Sequence, residues 1–276
     1  MKHNISNCNR KINLSSSNLK STKLMYIKYH ISNTMIPYLI SIYYRVKSVK
    51  NTVYNIKVVT TGESFKLKLR ITGVSRFPII NTLLLRRLGR YEPETSLILK
   101  KELSAGDKVL ELGAAEGYFS VEMSRYVGDS GEIHSFEPSK IVYNDLKYNL
   151  KINECINVTP YCQGLSGQKS SLVGADNEGF ETRDIVEFFS EMNFNFNFIF
   201  IDIDALDKSG NEARQEELLL MKIKDIIKEK KPKIFLEYIE RDASLCRIFD
   251  MLYEIGYEAE LVTKRHFLFK YYNKGK

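Results

Sequence analysis

From Ala105 onward, the sequence alternates short apolar segments with longer amphipathic ones. The short segments predict strands at Lys108–Leu112, Glu132–Phe136, Val158–Gln163, Phe198–Ile203, Lys233–Tyr238, Glu258–Thr263 and His266–Tyr271. The longer segments predict helices at residues 117–127, 139–152, 181–192, 212–230 and 243–255. This alternation is typical of an α/β fold with a mostly parallel sheet and helices on both faces. Only Lys264 and Arg265 separate the last two strands, so that pair must be antiparallel.

Ahead of this region, the pattern predicts a small β-hairpin. Residues Tyr54–Thr60 and Phe65–Ile71 both alternate apolar and polar side chains, and Gly62 lies in the turn between them. Residues 81–103 then have a helical pattern on both sides of Pro93. The hairpin and this helical segment therefore precede the α/β region.

The N-terminal part of the chain differs in character. Residues 1–24 are rich in Asn, Ser and Lys without periodicity, which predicts a disordered basic arm. The first apolar run, Met35–Tyr44, is about half the length that spans a bilayer, and no secretory signal pattern precedes it. It predicts a short core helix, with an amphipathic segment on a membrane surface as the alternative. The predicted domains are thus the arm, a basic helix-and-hairpin region (25–90) and the α/β domain (91–276), in a protein expected in the cytoplasm.

Composition and charge exclude several classes of protein. In a chain of 276 residues, 43% hydrophobic and 27% charged residues exclude a collagen, a fibre and a fully disordered chain. Four cysteines without a C-x-x-C pair exclude a disulfide scaffold and a zinc ribbon. The net charge of +7 is unevenly divided, because residues 1–90 hold 17 basic and 1 acidic side chains and residues 91–276 hold 24 basic and 33 acidic ones. The basic part is either a solvated Lys-rich surface or a contact region for an anionic partner.

The segment Gly106–Pro138 carries the clearest chemistry. A predicted strand runs directly into the small-residue turn Gly113–Gly117, and an amphipathic helix follows. Small residues let the chain turn sharply and let a ligand approach the backbone, and the start of the helix offers N–H groups. The next predicted strand ends in Glu137, twenty residues after Gly117, where an acid can accept the hydroxyl groups of a ribose. This segment therefore predicts a nucleoside-containing cofactor.

The identity of that cofactor follows from one further acid. The turn lacks the first glycine pair of G-x-G-x-x-G, the fingerprint of NAD and FAD sites, and Glu111 precedes Gly113 by two residues. A carboxylate facing the loop would repel a pyrophosphate, whereas it suits a ligand with an ammonium and a sulfonium group. These features favour S-adenosylmethionine (AdoMet) over NAD.

The same residues resemble the class I AdoMet-dependent methyltransferases, and specifically the FkbM family. The similarity spans about residues 50–272 and is carried by Tyr91–Glu94, Glu111–Ser120 (ELGAAEGYFS), His134–Ser139 (HSFEPS), Phe198–Asp204 (FIFIDID) and Phe235–Glu237. The resemblance implies a Rossmann-like, seven-stranded sheet of order 3-2-1-4-5-7-6 with the cofactor over the carboxyl ends of the strands. It also implies methyl transfer, commonly to a hydroxyl oxygen of a sugar or another small metabolite.

The sequence departs from the family pattern at two places. The family usually has G-A-N-x-G, whereas Ala115 stands here in place of Asn. The family usually has K-I-D-V-E-G on strand four, whereas this chain has Phe200-Ile-Asp-Ile-Asp-Ala205. The lysine is absent, the glutamate is shortened to Asp204 and the glycine is replaced. These departures bear on the acceptor site more than on cofactor binding.

The candidate site residues fall into two groups. Those predicted to bind the cofactor are Glu92, Glu111, Gly113, Ala114, Gly117, Tyr118, Glu137, Pro138 and Gln163. Asp202 and Asp204 follow an apolar strand at the edge where ligands bind in open α/β sheets, so they are the candidate catalytic residues. No metal site is predicted, because this pair lacks a third ligand and the four histidines form no cluster in the sequence.

The sequence therefore predicts an AdoMet-dependent methyltransferase that acts on a hydroxyl group of a small molecule or glycan. One alternative is an RNA methyltransferase that holds its substrate with the basic N-terminal region. The other is a methyltransferase-like binding module without catalysis, because the strand-four lysine is missing. No transmembrane segment is predicted, peripheral membrane contact stays open, and the oligomeric state does not follow from the sequence.

Overall fold

The computed structural model describes residues 52–60, 63–71, 91–174, 179–192, 195–203, 205–206, 215–238 and 243–272. The predicted arm, the apolar run Met35–Tyr44 and the first part of the predicted helix 81–103 lie outside these residues. So does Asp204, one of the two predicted catalytic residues.

The described residues contain a seven-stranded, mostly parallel sheet. Its strands are β3 (Lys108–Leu112), β4 (Glu132–Phe136), β5 (Val158–Tyr161), β9 (Phe198–Ile201), β11 (Lys233–Glu237), β12 (Tyr257–Leu261) and β13 (His266–Tyr271). They are ordered β5-β4-β3-β9-β11-β13-β12. Numbered along the chain within this sheet, that is 3-2-1-4-5-7-6. The first five are parallel, and β13 runs antiparallel to both β11 and β12. The predicted fold class is confirmed.

Helices cover both faces of this sheet, as predicted. They are α1 (Pro93–Glu102), α2 (Tyr118–Val127), α3 (Lys140–Ile152), α4 (Ile185–Met192), α5 (Gln215–Lys222), α6 (Lys224–Lys230) and α7 (Ala243–Glu254). Strand β9 illustrates why both faces are apolar, because all four of its residues are buried. Phe198 and Phe200 pack into one core cluster with α1, α2 and α3. Ile199 and Ile201 pack into the other, with α4 to α7.

Two predicted helices differ from the observed ones. The segment predicted as one helix over 212–230 contains two, which meet at Ile223. The helix predicted over 181–192 begins only at Ile185, because the residues before it pair as a strand. For every predicted strand, the predicted ends lie within two residues of the observed ends.

A second, smaller sheet lies between β5 and β11 in the chain and was not predicted. Its strands are β6 (Gly164–Ser166), β7 (Ser171–Gly174), β8 (Gly179–Asp184) and β10 (Ala205–Leu206), in the order β10-β7-β8-β6. These strands are short and lack a regular apolar–polar alternation, so the periodicity of the sequence gives no signal for them. Because β10 follows β9 closely, the small sheet adjoins the carboxyl end of β9.

The predicted hairpin is also present. Strands β1 (Thr52–Thr60) and β2 (Glu63–Ile71) pair antiparallel over their full length, from Thr52 with Ile71 to Thr60 with Glu63. Among the described residues, none of the helices is long and apolar enough to cross a membrane.

Candidate cofactor and acceptor site

The turn between β3 and α2 is hydrogen-bonded to the end of the neighbouring strand. The N–H groups of Gly113 and Ala114 both donate to the carbonyl oxygen of Phe136, over 3.0 and 2.9 Å. The N–H of Gly117 closes the turn by donating to the carbonyl oxygen of Ala114, over 2.9 Å. The turn is therefore fixed against the carboxyl end of β4.

Gly113 stands where no other residue fits. Its φ is +89°, and a Cβ atom added there would lie 1.7 Å from the carbonyl oxygen of Asp202. The N–H of Asp202 in turn donates to the carbonyl oxygen of Leu112, over 2.9 Å. The absence of a side chain at Gly113 thus brings the turn into direct contact with the end of β9, where Asp202 lies.

Glu137 is held in place by the backbone around it. Its Oε2 accepts a hydrogen bond from the N–H of Ala115 (3.0 Å), and its Oε1 accepts one from the N–H of Ser139 (2.8 Å). The Glu137 side chain is largely buried. A carboxylate can accept about four hydrogen bonds, so these two orient the group without exhausting its capacity. Glu137 therefore joins the turn to the end of β4 at the position where a ribose acceptor was predicted.

Glu111 is buried beneath the same turn. Its Oε2 accepts hydrogen bonds from the hydroxyl groups of Ser120 on α2 (2.7 Å) and Ser135 on β4 (2.5 Å). Burial raises the pKa of Glu111 to about 7, although the two serine hydroxyls oppose that shift. Glu111 thus ties β3, α2 and β4 together. Its predicted contact with the methionine end of AdoMet stays a prediction.

The buried acid Glu111 leads to a prediction about pH. A second acid, Glu122, is buried on α2, accepts hydrogen bonds from Ser96 and Tyr126, and also has its pKa raised to about 7 by burial. Between the usual pKa of about 4.5 and pH 7, the folded chain keeps these protons while the unfolded chain loses them. Stability should therefore fall across this window, by about 1.4 kcal/mol per pH unit for each group. We expect Glu111→Gln to flatten that fall, as measured by urea unfolding between pH 5 and 8.

A matched variant controls for the loss of any acid. Glu132, at the other end of β4, has its pKa lowered by its hydrogen bond with His134, which outweighs partial burial, and by Lys108. Its contribution to stability therefore has the opposite sign, and Glu132→Gln should not flatten the fall. Equal slopes in wild type and Glu111→Gln would contradict the proposed protonation of Glu111.

Ala115 adopts the left-handed backbone conformation, with φ +47°. This conformation costs an ordinary L residue about 1 kcal/mol, whereas Asn adopts it more readily. The structure thus gives a physical reason for the Asn that the FkbM pattern has at this position. We expect Ala115→Asn to raise the free energy of unfolding by about 0.5–1 kcal/mol and Ala115→Val to lower it, as measured by urea unfolding. A loss of stability in Ala115→Asn would contradict this.

Next to the turn, four ionisable side chains lie at the carboxyl edge of the sheet. Glu92 precedes α1, Asp202 follows β9, Glu237 ends β11 and His266 begins β13. The Nε2 of His266 is 3.5 Å from Oε1 of Glu237 and 3.7 Å from Oε2 of Glu92. Burial alone would raise the pKa of Glu237, but its interactions with His266, Asp202 and Arg265 outweigh burial and lower the pKa to about 2.

The sequence predicts two of these four residues, Glu92 and Asp202, as site residues. It does not single out the other two: Glu237 lies within a stretch that resembles the FkbM family, and His266 is the first residue of a predicted strand. The directions of the strands could have identified Glu237 and His266, because β11 is parallel to β9 and β13 is antiparallel to β11. The end of β11 and the start of β13 must therefore meet at the same edge as Asp202.

The other predicted cofactor residues also have defined positions. Ala114 and Tyr118 are buried, and the ring of Tyr118 packs edge-on against Tyr91 at 5.2 Å between centroids. Pro138 directly follows Glu137, and Gln163 is exposed between β5 and β6. They lie on the turn, at the start of α2 or after the ends of β4 and β5, so the structure brings all four to one edge of the sheet. Their contacts with a cofactor stay predictions.

Comparison with known proteins identifies relatives of one segment. Residues 95–170 match the family described as Protein-L-isoaspartate(D-aspartate) O-methyltransferase (PCMT). The Protein-L-isoaspartate O-methyltransferase of Methanosarcina mazei is 45% identical over 58 residues, which make up 21% of this chain. The matched segment spans about a quarter (24%) of that relative's length.

Several solved structures overlap with the chain at low identity. They include a SAM-dependent O-methyltransferase from Thermotoga maritima (15% identity, 67% of each chain covered, TM-score 0.45). A precorrin-6y C5,15-methyltransferase from Geobacter metallireducens covers 66% of this chain and 88% of its own at 14% identity, with a TM-score of 0.44. Fibrillarin from Aeropyrum pernix, solved with S-adenosyl-L-methionine, covers 63% and 72% at 15% identity, with a TM-score of 0.41.

The strand order and the matched segment together define the class of domain. The order 3-2-1-4-5-7-6 is the one implied by the resemblance to class I methyltransferases, and residues 95–170 hold the turn and Glu137. The residues present fit AdoMet, because the Glu137 carboxylate, which the N–H of Ala115 holds in place, lies together with the tight glycine turn and the buried Glu111. Residues 95–170 are thus similar to an O-methyltransferase family, and they lie in a sheet whose strand order is the one expected for class I methyltransferases.

Proposed function

We propose that this chain is an O-methyltransferase of the FkbM type that uses AdoMet to methylate a hydroxyl group of a small-molecule or glycan acceptor. One observation carries the proposal: the turn that is hydrogen-bonded to Glu137 also touches the end of β9, where Asp202 lies. A cofactor site and a group of ionisable side chains therefore share one edge of the sheet.

The residues that would hold AdoMet are those of the turn and of the two strand ends. Glu137 would accept hydrogen bonds from the ribose hydroxyls, and Gly113, Ala114 and Gly117 would let the cofactor lie close to the backbone. When bound, AdoMet supplies a methyl group on a positively charged sulfur. Glu92, Tyr118, Pro138 and Gln163 are proposed to complete the binding site.

Asp202 is proposed to act on the acceptor. Asp202 lies within hydrogen-bonding reach of Glu237, and the proposal is that this pair of carboxyl groups takes up the proton of the acceptor hydroxyl. Asp202 would also hold the acceptor oxygen in line with the carbon–sulfur bond of AdoMet, so that the methyl group could pass to oxygen as that bond's electron pair stays on sulfur. Holding the oxygen in line with that bond supplies much of the acceleration. Asp204, which the sequence also predicts as catalytic, is the second candidate for this role.

The charges at this edge favour a neutral acceptor. Glu92, Asp202 and Glu237 lie together there, and Arg265, whose side chain is mostly exposed, lies 3.9 Å from Glu237. As long as no cation is bound there, such an edge disfavours the phosphates of RNA and the carboxylate of an isoaspartyl side chain, because like charges repel. The match to the isoaspartyl family ends at residue 170, before Asp202, Glu237 and His266. The match therefore does not include the residues on the acceptor side of the site.

The test is a transfer assay with tritiated methyl-AdoMet. Hydroxyl-bearing sugars and metabolites, total RNA and a peptide with an isoaspartyl residue serve as separate acceptors. We expect label in a sugar or metabolite fraction that survives mild alkali, because methyl ethers survive it and methyl esters do not. Asp202→Asn should keep the AdoMet-dependent rise in melting temperature and lose transfer.

Each other outcome contradicts part of the proposal. Label in RNA that requires residues 1–90 would support the RNA alternative. Alkali-labile label in the peptide would support a carboxyl methyltransferase. AdoMet binding without transfer to any acceptor in a broad panel would support the binding module.

A further inference from the structure

A side-chain cluster beside Asp202 has a geometry that the methyl transfer itself does not need. We call it the Glu92–Glu237–His266 cluster. Its members come from three separate elements, namely the residue before α1, the end of β11 and the start of β13. One donor atom from each lies within 4.8 Å of the other two. Three elements thus direct one nitrogen and two oxygens at a common point.

His266 is fixed so that one particular nitrogen faces this point. Its Nδ1 is 2.7 Å from the hydroxyl oxygen of Thr263, and its ring stacks on Phe235 with 5.5 Å between centroids. The His266 side chain is 7% exposed. A histidine that acts as a base beside a carboxylate needs its second nitrogen for the substrate, but here Thr263 holds that nitrogen. A polar group on the second nitrogen is instead what orients a metal-binding histidine.

The spacing of the donors also fits an ion better than a direct hydrogen bond. The distances from Nε2 of His266, 3.5 Å to Glu237 and 3.7 Å to Glu92, exceed the usual 2.7–3.2 Å of an N–H···O hydrogen bond. Donors that each lie about 2.0–2.2 Å from a tetrahedral ion are separated by about 3.3–3.6 Å. The three atoms therefore face one another at spacings wider than direct hydrogen bonds, and Oε2 of Glu92 also accepts a hydrogen bond from the hydroxyl of Thr95 (3.2 Å).

The charges around the cluster also favour a bound cation. Asp202 lies within hydrogen-bonding reach of Glu237, so a third carboxyl group adjoins the two that face His266. Arg265 is 3.9 Å from Glu237, and its side chain is 59% exposed, so solvent screens much of its charge. A divalent cation would balance this excess at the centre of the group.

We propose that Glu92, Glu237 and His266 bind one divalent transition-metal ion. One imidazole nitrogen and two carboxylate oxygens suit Zn²⁺, Mn²⁺ or Co²⁺ better than Ca²⁺, which prefers oxygen ligands alone. The ion would lie on the acceptor side of the site, because Asp202 contacts both Glu237 and the turn at Gly113. Its role there, which rests on the proposed function, is to bind the acceptor oxygen and ease the loss of its proton.

The test measures metal binding without any acceptor. The full chain, treated with a chelator and dialysed, is titrated with Co²⁺ and followed by its visible absorption, and then with Zn²⁺ in competition with a coloured chelator. We expect one ion per chain. We expect at least tenfold weaker binding in His266→Gln and in Glu92→Gln, the second of which changes a partly exposed side chain and should fold normally.

The chain offers a matched control in another histidine–glutamate pair. Nε2 of His134 lies 2.6 Å from Oε1 of Glu132, a direct contact that no third ligand among the described residues completes. Glu132→Gln should leave the metal affinity unchanged. The proposal is overturned if wild type binds no ion, or if His266→Gln and Glu92→Gln bind it as tightly as wild type.

The two proposals fail separately. Metal binding without AdoMet binding would contradict the proposed function and leave the metal site standing. AdoMet binding and methyl transfer by a metal-free chain, unchanged when Zn²⁺, Mn²⁺ or Co²⁺ is added, would overturn the metal site's role in catalysis.

Discussion

Gly113→Ala is expected to destabilise the chain more than any other single methyl addition at a described glycine with positive φ. The added Cβ would lie 1.7 Å from the carbonyl oxygen of Asp202, so β3 and β9 could not keep their pairing at this end. The left-handed conformation adds about 1–2 kcal/mol, and displacing packed backbone adds about 1–3 kcal/mol. We expect a loss of about 2–5 kcal/mol in the free energy of unfolding, or failure to fold, measured by urea unfolding.

Gly106→Ala separates these two costs. Gly106 has nearly the same φ, +88° against +89°, but a Cβ there would meet only the Ser130 hydroxyl oxygen, at 3.6 Å. This variant should therefore lose only the conformational part, about 1–2 kcal/mol. Equal losses in the two variants would show that the contact between Gly113 and Asp202 is not tight.

Glu137→Ala is expected to remove most of the stabilisation that AdoMet gives to the chain. A hydrogen bond to a charged group is worth about 1.5–3 kcal/mol, so binding should weaken roughly ten- to hundredfold. At a fixed AdoMet concentration, the rise in melting temperature should shrink accordingly. The ligand-free variant should also melt earlier, because the partly buried N–H of Ala115 and the buried N–H of Ser139 lose their acceptor.

Two further variants sharpen this result. Glu137→Gln keeps one acceptor oxygen for the backbone, so it should lose less intrinsic stability than Glu137→Ala. Glu132→Ala, at the start of the same strand, should keep the full AdoMet effect. A full AdoMet effect in Glu137→Ala would contradict the assignment of Glu137 to the ribose.

The large sheet could be predicted because its strands are buried on both faces. Strand β9 is a continuous apolar run, β3, β4 and β11 bury every residue except at their ends, and the helices between them have a regular apolar period. The small sheet could not be predicted, because a strand such as β6 has three residues and no alternation of its own. Its pairing depends on β8, which follows more than ten residues later.

The candidate site also has one part that could be predicted from the sequence and another part that could not. The turn and Glu137 form a local motif within some thirty residues, so spacing alone brought them together. Glu237 and His266 join Asp202 only through the strand order, since β11 and β13 come later in the chain and fold back beside β9. The burial of Glu111 between two serines was also beyond sequence reasoning, because both partners come from other elements.

The central claim is that the turn at Gly113–Gly117 and Glu137 bind AdoMet. Calorimetric titration of the wild-type chain with AdoMet, with its demethylated product and with NAD⁺ tests it most directly. The account predicts one molecule of AdoMet per chain, displacement by the demethylated product and no binding of NAD⁺. Absence of AdoMet binding, or tighter binding of NAD⁺, would contradict it.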